Sequence, residues 1–247
     1  MCTVTFIPVK DRVYITSNRD EKNSRQRALP PKEYYHKHSK LVFPKDADEG
    51  GTWIALNENG NVAVLLNGAF EKYIPNPSYQ RSRGVVLLDI LADVRPARYF
   101  TKLKLEAIAP FTLILWDDGS LYECRWDGLV KHIKQLRSCR PHIWSSATLY
   151  DKETQKRREY WLAKFLNKNV IPSQEDILHF HSYGGDGDGN SNLKMNRQGL
   201  YSTVSITSLE LNETSGSITY HDCIGNTNFK QNVHFISSYF AEQNSFV

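Results

Sequence analysis

The order of strand-like and helix-like segments constrains this chain's fold most, because its strands come as adjacent pairs closed by turns rather than singly between helices. Thr3-Val4-Thr5-Phe6-Ile7 and Arg12-Val13-Tyr14-Ile15-Thr16 are β-branched and aromatic, flank the turn-like Lys10-Asp11, and predict an N-terminal hairpin. Its second strand is expected to end at the polar cluster Ser17 to Glu21, followed by a long irregular stretch, Lys22 to Gly51, with Pro30, Pro31 and Pro44. Thr52 to Leu56 and Val62 to Asn67 form a second hairpin around Asn57-Glu58-Asn59-Gly60. Ser82 as N-cap opens a helix to Asp93, with Val85, Val86, Leu88, Ile90 and Leu91 at helical spacing, and Pro96 starts a short helix toward Ile108. Strands return at Phe111 to Trp116, Leu121 to Trp126, Leu129 to Gln135 and His142 to Ser145. Helical segments at Lys152 to Leu166 and Glu175 to Phe180, a polar loop at Gly184 to Asn190, and strands at Ser202 to Leu211 and Ser217 to Asp222 complete the chain.

Such blocks argue against a doubly wound parallel sheet and for an α+β architecture of antiparallel sheets with segregated helix layers. No repeat or composition shift divides residues 1–247, so a single domain is expected. With 40% hydrophobic and 23% charged residues the chain has the composition of a globular protein. A mean hydropathy of −0.51, with no apolar run near the ~20 residues that span a bilayer, predicts no transmembrane helix. The first residues lack a basic region ahead of an apolar one, so no signal peptide is expected. A net charge of +4 with dispersed basic residues gives no patch for nucleic acid. Lys152, Lys156, Arg157 and Arg158 cluster, but interleaved with Asp151, Glu153 and Glu159 they read as a solvated helix face.

Cys2, Cys124, Cys139 and Cys223 contain no Cys-x-x-Cys pair, which argues against a disulfide framework or zinc knuckle and for a reducing, cytoplasmic compartment. Three of them read as small buried hydrophobes. Cys2 is different, because removal of Met1 would place a thiol and a free α-amine on one residue. An amine with a pKa near ~8 accepts the thiol proton at neutral pH, so one residue supplies nucleophile and base.

Met1-Cys2 leading into a strand, Asn18-Arg19-Asp20-Glu21 in its partner, and Gly50-Gly51-Thr52-Trp53 further on together resemble the NRDE family of Transport and Golgi organisation 2-like proteins. Ser145-Ser146-Ala147-Thr148-Leu149 and the Ser202-Thr203-Val204 strand extend the resemblance over most of the chain. That family is similar in turn to the cysteine N-terminal nucleophile (Ntn) hydrolases of the penicillin V acylase and bile-acid hydrolase type. The resemblance implies a four-layer αββα sandwich and hydrolysis of a non-peptide amide through a thioester. It implies Cys2 as nucleophile, Arg19 and Asp20 orienting the thiol and its amine, Asn67 donating to the oxyanion, and Ser146 in the catalytic set. Asn18, Glu21 and Trp53 are the expected substrate contacts. No cofactor or metal is implied, and the oligomeric state stays open.

The pattern departs from the acylase branch in three places. There the arginine and aspartate are separated by two residues, whereas Arg19 and Asp20 are adjacent and point to opposite faces of a regular strand, so a shared site requires the strand to end or bulge. Ser146 falls where many relatives have asparagine, and Leu200 where some have arginine. Two other readings therefore remain open. The tetrapeptide could be a hydrogen-bonded corner in which Arg19 pairs with an acid while Asn18 or Asp20 caps a turn. The resemblance also allows a non-enzymatic binding or carrier protein for haem or lipid, with Cys2, His36 or His38 as axial candidates for a haem. His36-x-His38 and His179-x-His181 lack a carboxylate at metal spacing, and Asp186-x-Asp188-x-Asn190 lacks the glycine and glutamate of a calcium loop, having Ser191 and Arg197 there. The Lys22 to Gly51 stretch and the 184–192 loop, read as a mobile polar flap, are expected to border the pocket.

Overall fold

Strand pairing begins where the sequence predicts it, at an N-terminal hairpin of β1 (Cys2–Val9) and β2 (Arg12–Lys22) turning through Lys10 at a left-handed φ of 54°. In the computed structural model, which describes residues 2–74, 76 and 79–236, β2 does not stop at Ser17. It continues because β12 (Tyr201–Leu211) pairs along its whole length, from Lys22 opposite Tyr201 to Val13 opposite Leu211. The Asn18 to Glu21 block therefore lies inside a strand, which excludes the turn reading of that segment.

The first sheet runs in the order β10 (His142–Ser145), β1, β2, β12, β13 (Ser215–Asp222), β14 (Thr227–His234), with the short β11 (Asn196–Arg197) beside β12. The second is a sequential antiparallel meander of β3 (Leu29–His36), β4 (Ser39–Lys45), β5 (Ile54–Asn57), β6 (Val62–Asn67), β7 (Phe111–Asp117), β8 (Ser120–Trp126) and β9 (Lys131–Leu136). The two sheets meet over Val4, Phe6, Ile15, Ile54, Leu56, Val64, Ile114, Leu209 and Ile218. Each fully buried side chain of this size contributes roughly 1.5–3 kcal/mol relative to exposure. On the outer face of the second sheet, α1 (Arg83–Leu91) and α2 (Pro96–Lys102) bury Leu87, Ile90, Leu91 and Phe100 against Leu113 and Leu115. On the outer face of the first, α3 (Lys152–Lys168) and α4 (Gln174–Tyr183) bury Leu162, Ile177 and Phe180 against Ile7 and Tyr14. The architecture is the α+β four-layer αββα sandwich.

Several local expectations need correction. The 22–51 stretch is not irregular, because β3 and β4 form a hairpin within it. As an edge strand β3 is mostly exposed and tolerates Pro30 and Pro31, between which and β4 the register shifts. The polar edge strand β14 was equally invisible to an apolar pattern. Ser82 occupies the N-cap position of α1 without a side-chain capping bond, and α2 ends at Lys102. His179 and His181 lie on helix α4, so their imidazoles diverge. Of the three cysteines read as buried, Cys124 is buried, Cys223 half-buried and Cys139 exposed.

The segment entering β5 and the start of α1 approach backbone to backbone. A Cβ on Gly51 would lie 2.5 Å from the Gly84 carbonyl carbon, and one on Gly84 would lie 2.7 Å from the Thr52 oxygen. Gly84→Ala is expected to lower stability by roughly 1–3 kcal/mol through this overpacking, read as a lower urea midpoint with an unchanged m-value.

Candidate active site

Register decides which side chains meet. Cys2 pairs with Arg19, Val4 with Ser17 and Phe6 with Ile15, so these six share the face turned toward the second sheet. Asn18 and Asp20 take the opposite face, toward α3 and α4. The expected bulge exists, but in β12 between Thr203 and Ser205, opposite the Arg19-Asp20 pair, so β2 itself stays regular. The two residues therefore do not share one pocket.

Cys2 lies at the head of β1, 1% exposed, in a cleft of about 560 Å³ whose walls include Arg19, Glu21, Asp46, Trp53 and Asn67. Burial pushes its thiol pKa above the ordinary value, with Arg19 acting in the other direction. The Arg19 guanidinium stacks 4.4 Å from the centre of the Trp53 ring and donates to Asp46 Oδ2 at 2.5 Å. The pairing of Arg19 with an acid, one element of the corner reading, is thus present. Asp46 is the residue that sequence reasoning missed. Its Oδ1 accepts from Arg25 Nη2 at 2.9 Å and from the backbone N–H groups of Asp48 and Glu49, fixing an Asx turn between β4 and β5. An Asp opening Asp-Ala-Asp-Glu-Gly-Gly was the available signal.

Asn67 closes β6, its amide lining the cleft without a side-chain hydrogen-bond partner among the described residues. Ser146 does not line the cleft. Its N–H donates to the Cys2 carbonyl at 3.0 Å and its Oγ donates to the Asn67 carbonyl at 2.8 Å, so it rivets the start of β1 to the end of β6. Glu21 lines the cleft and accepts from the Lys22 N–H at 2.9 Å. Lys22, Arg25, Arg81 and Arg83 complete a predominantly cationic rim. No residue of the 184–192 loop lines the cleft among the described residues, and that loop is held by internal bonds such as Asp186 Oδ1 to the Asp188 N–H. His36 is bound to Asp89 at 2.9 Å, and neither it nor the exposed His38 lines the cleft.

The opposite face holds a buried polar layer. Asp20 accepts from Tyr150 Oη at 2.7 Å and Thr203 Oγ1 at 2.6 Å. Burial still pushes its pKa above the ordinary carboxylate value, against the neighbouring Arg158 charge. Asn18 donates to the carbonyls of His181 and Leu193 at 3.0 and 2.7 Å, so its Oδ1 accepts from His181 Nδ1 at 2.6 Å. His181 Nε2 then accepts from the Thr5 hydroxyl at 2.7 Å, and the imidazole is neutral, its pKa held down to about 3 chiefly by burial. Asn18 therefore ties β2 to α4 and does not reach the cleft.

This histidine gives the fold an acid limb. An imidazole with a pKa near ~6.5 when unfolded and about 3 when folded takes up its proton only on unfolding across that window. Stability is complete above pH ~6.5 and falls as pH drops toward 3, by roughly 3–5 kcal/mol. The raised Asp20 acts oppositely above its unfolded value. His181→Gln is expected to be less stable at neutral pH but to show a flatter urea midpoint between pH 7 and pH 4.

The chain resembles the conjugated bile acid hydrolase of Clostridium perfringens, solved as a C2A mutant, at 11% identity and a TM-score of 0.58, over 94% of this chain and 92% of that one. It resembles a Caenorhabditis elegans ortholog of N-acylethanolamine-hydrolyzing acid amidase at 11% identity and a TM-score of 0.58, over 84% and 92% of the two chains. These likenesses establish the shared Ntn-hydrolase fold. No curated protein matches the sequence. The family model described as Transport and Golgi organisation 2 matches residues 1–218, and the chain belongs to that family.

Proposed function

We propose that this protein is a cysteine Ntn-type hydrolase that cleaves a non-peptide amide of a small molecule, with Cys2 as the nucleophile once Met1 has been removed. The observation carrying this reading is the position of Cys2 at the head of β1 in a cleft shared with Arg19 and Asn67. In the proposed reaction the α-amine of Cys2 takes the thiol proton and the thiolate attacks the carbonyl carbon of the amide. The C–N bond breaks, the proton passes to the departing amine, and a thioester remains. Water then adds to the thioester, releasing a carboxylic acid and restoring the thiol. Arg19 orients the thiol from within the cleft, and Asp20 holds the amine from the other face. Asn67, with an uncommitted amide, donates to the oxyanion. Ser146 contributes by position alone, fixing Cys2 and Asn67 relative to each other.

The carrier reading draws less support, since of its three axial candidates only Cys2 lines the cleft, and Cys2 is the residue the hydrolase reading already uses. The deciding experiment mixes the processed protein with a panel of N-acyl amides and follows intact mass. A mass increase equal to the acyl group, located on Cys2, supports the proposal. A panel that leaves the mass unchanged and releases no amine refutes it. Asn67→Ala is expected to lower kcat by about 10²-fold with little change in KM, because the oxyanion exists only beyond the ground state.

A further inference from the structure

The face of the first sheet that carries Cys2 also carries hydroxyl groups with nothing to bond. Ser17 stands one pleat inward from Arg19, opposite Val4, which makes it the diagonal neighbour of Cys2. Thr207 lies beside Ser17 on β12, and Ser205 beside Arg19. All three are fully buried, and the hydroxyl oxygens of Ser17, Thr207 and Ser205 have no hydrogen-bond partner among the described residues. A buried hydroxyl without a partner is destabilising, and alanine would remove that cost without leaving a large cavity. Thr16, on the other face, bonds Ser208 at 2.9 Å, so the outward-facing hydroxyl is satisfied while Ser17 is not. Unlike a thiol, a thiolate is a strong acceptor, and the hydroxyl acts on Cys2 in the direction that favours the charged form.

We propose that Ser17 is a positioning residue for Cys2, its hydroxyl donating a hydrogen bond to the thiolate, with the Thr207 hydroxyl behind it available to donate in turn to Ser17. This rests on the nucleophile reading above. The bond is not made to the resting thiol and forms when the sulfur becomes charged. The charged groups around Cys2 are Arg19 on its own face, with Asp46 beyond it, Asp20 across the sheet and, once Met1 is removed, its own α-amine. The segment entering β5 also brings the Asp46 and Glu49 carboxylates to the cleft wall, β2 and the turn after it bring Glu21, Lys22 and Arg25, and Tyr73, Tyr79, Arg81 and Arg83 line it from ahead of α1.

The test measures the rate of Cys2 alkylation by iodoacetamide from pH 6 to pH 10, with peptide mass separating Cys2 from Cys124, Cys139 and Cys223. Ser17→Ala is expected to move the midpoint upward and slow alkylation at pH 7.5 by about tenfold, while thermal stability stays equal or rises. Ser17→Thr, which keeps a hydroxyl, is expected to restore the profile. Superimposable profiles for the wild type and Ser17→Ala overturn the assignment, as does slower alkylation accompanied by a lower Tm. A Cys2 inert at every pH overturns this inference together with the nucleophile reading. A reactive Cys2 with the expected Ser17 dependence, but no acyl-enzyme on any amide, defeats only the hydrolase reading.

Discussion

Cys2→Ala is expected to leave the fold intact and reduce amide hydrolysis by at least ~10⁴-fold, because it removes the nucleophile and nothing else in the cleft replaces it. The other sulfurs are elsewhere. Cys124 is buried beneath α1 and α2 on the far side of the second sheet, Cys139 is exposed, and neither Cys139 nor Cys223 lines the cleft. The position tolerates alanine structurally, since the β1 backbone bonds to Ser146 and β2 do not use the side chain. A urea midpoint close to that of the wild type, with no acyl-enzyme by mass and no released amine, is the expected pair of results. Full activity in Cys2→Ala would show that the chemistry belongs to another group. Cys124→Ala serves as the control, expected to change stability but not turnover.

Much of this site was legible in the sequence, but only as separate pieces. The first hairpin, the 52–67 hairpin and the β7–β8 pair follow from alternation and turn residues, and all three appear in the structure. Alternation also foretold that Arg19 and Asp20 point to opposite faces. What it could not supply was the consequence, because that depends on which layer covers each face. The acylase spacing, counted back from Asp20, falls on Ser17, which shares the face of Arg19. Arg19 stands one pleat further along that same face. Asp46 was missed because it acts from a loop brought to β2 by the β3–β4 hairpin, and that hairpin was hidden by its polar composition and its prolines. Asn18 was misassigned because its partner, His181, is 163 residues away on α4, a contact that no local pattern encodes.

One strand thus serves two environments. Toward the second sheet, β2 presents Arg19 to the cleft and, one pleat inward, the buried Ser17 as diagonal neighbour of the thiol. Toward the helices it presents Thr16, Asn18 and Asp20 to a layer of buried polar partners. A polar tetrapeptide inside a buried strand is costly unless each group is paired. Here the outer pairings hold the β1–β2 frame still while the inner face keeps groups uncommitted.

The centre of that outer layer is Arg158, and its removal is expected to be the largest stability effect in the protein. Contrary to the solvated face expected for the 152–158 cluster, its side chain turns inward from α3, is fully buried, and forms no ion pair within the salt-bridge distance among the described residues. It is instead solvated by the fold. Its Nη2 donates to the Ser191 and Asn192 carbonyls at 2.9 and 2.8 Å, and Nη1 donates to the Thr3 hydroxyl and to Ser145 Oγ at 3.2 Å. The guanidinium lies 3.6 Å from the centre of the Tyr150 ring, and Tyr150 in turn donates to Asp20. Arg158→Ala leaves the buried Ser191 and half-buried Asn192 carbonyls without their donor and takes away the positive charge that opposes the burial of Asp20. The expected loss is roughly 3–5 kcal/mol, read from urea denaturation at pH 7. Lysine is expected to recover little, because one ammonium has no planar fork to reach β1, β10 and the 191–192 carbonyls together. Asp20→Asn in the Arg158→Ala background should restore part of the loss, and the double-mutant cycle should give a coupling of about 1 kcal/mol or more. An additive cycle would mean that Arg158 stabilises the fold through its carbonyl and hydroxyl contacts alone, with Asp20 held by Tyr150 and Thr203.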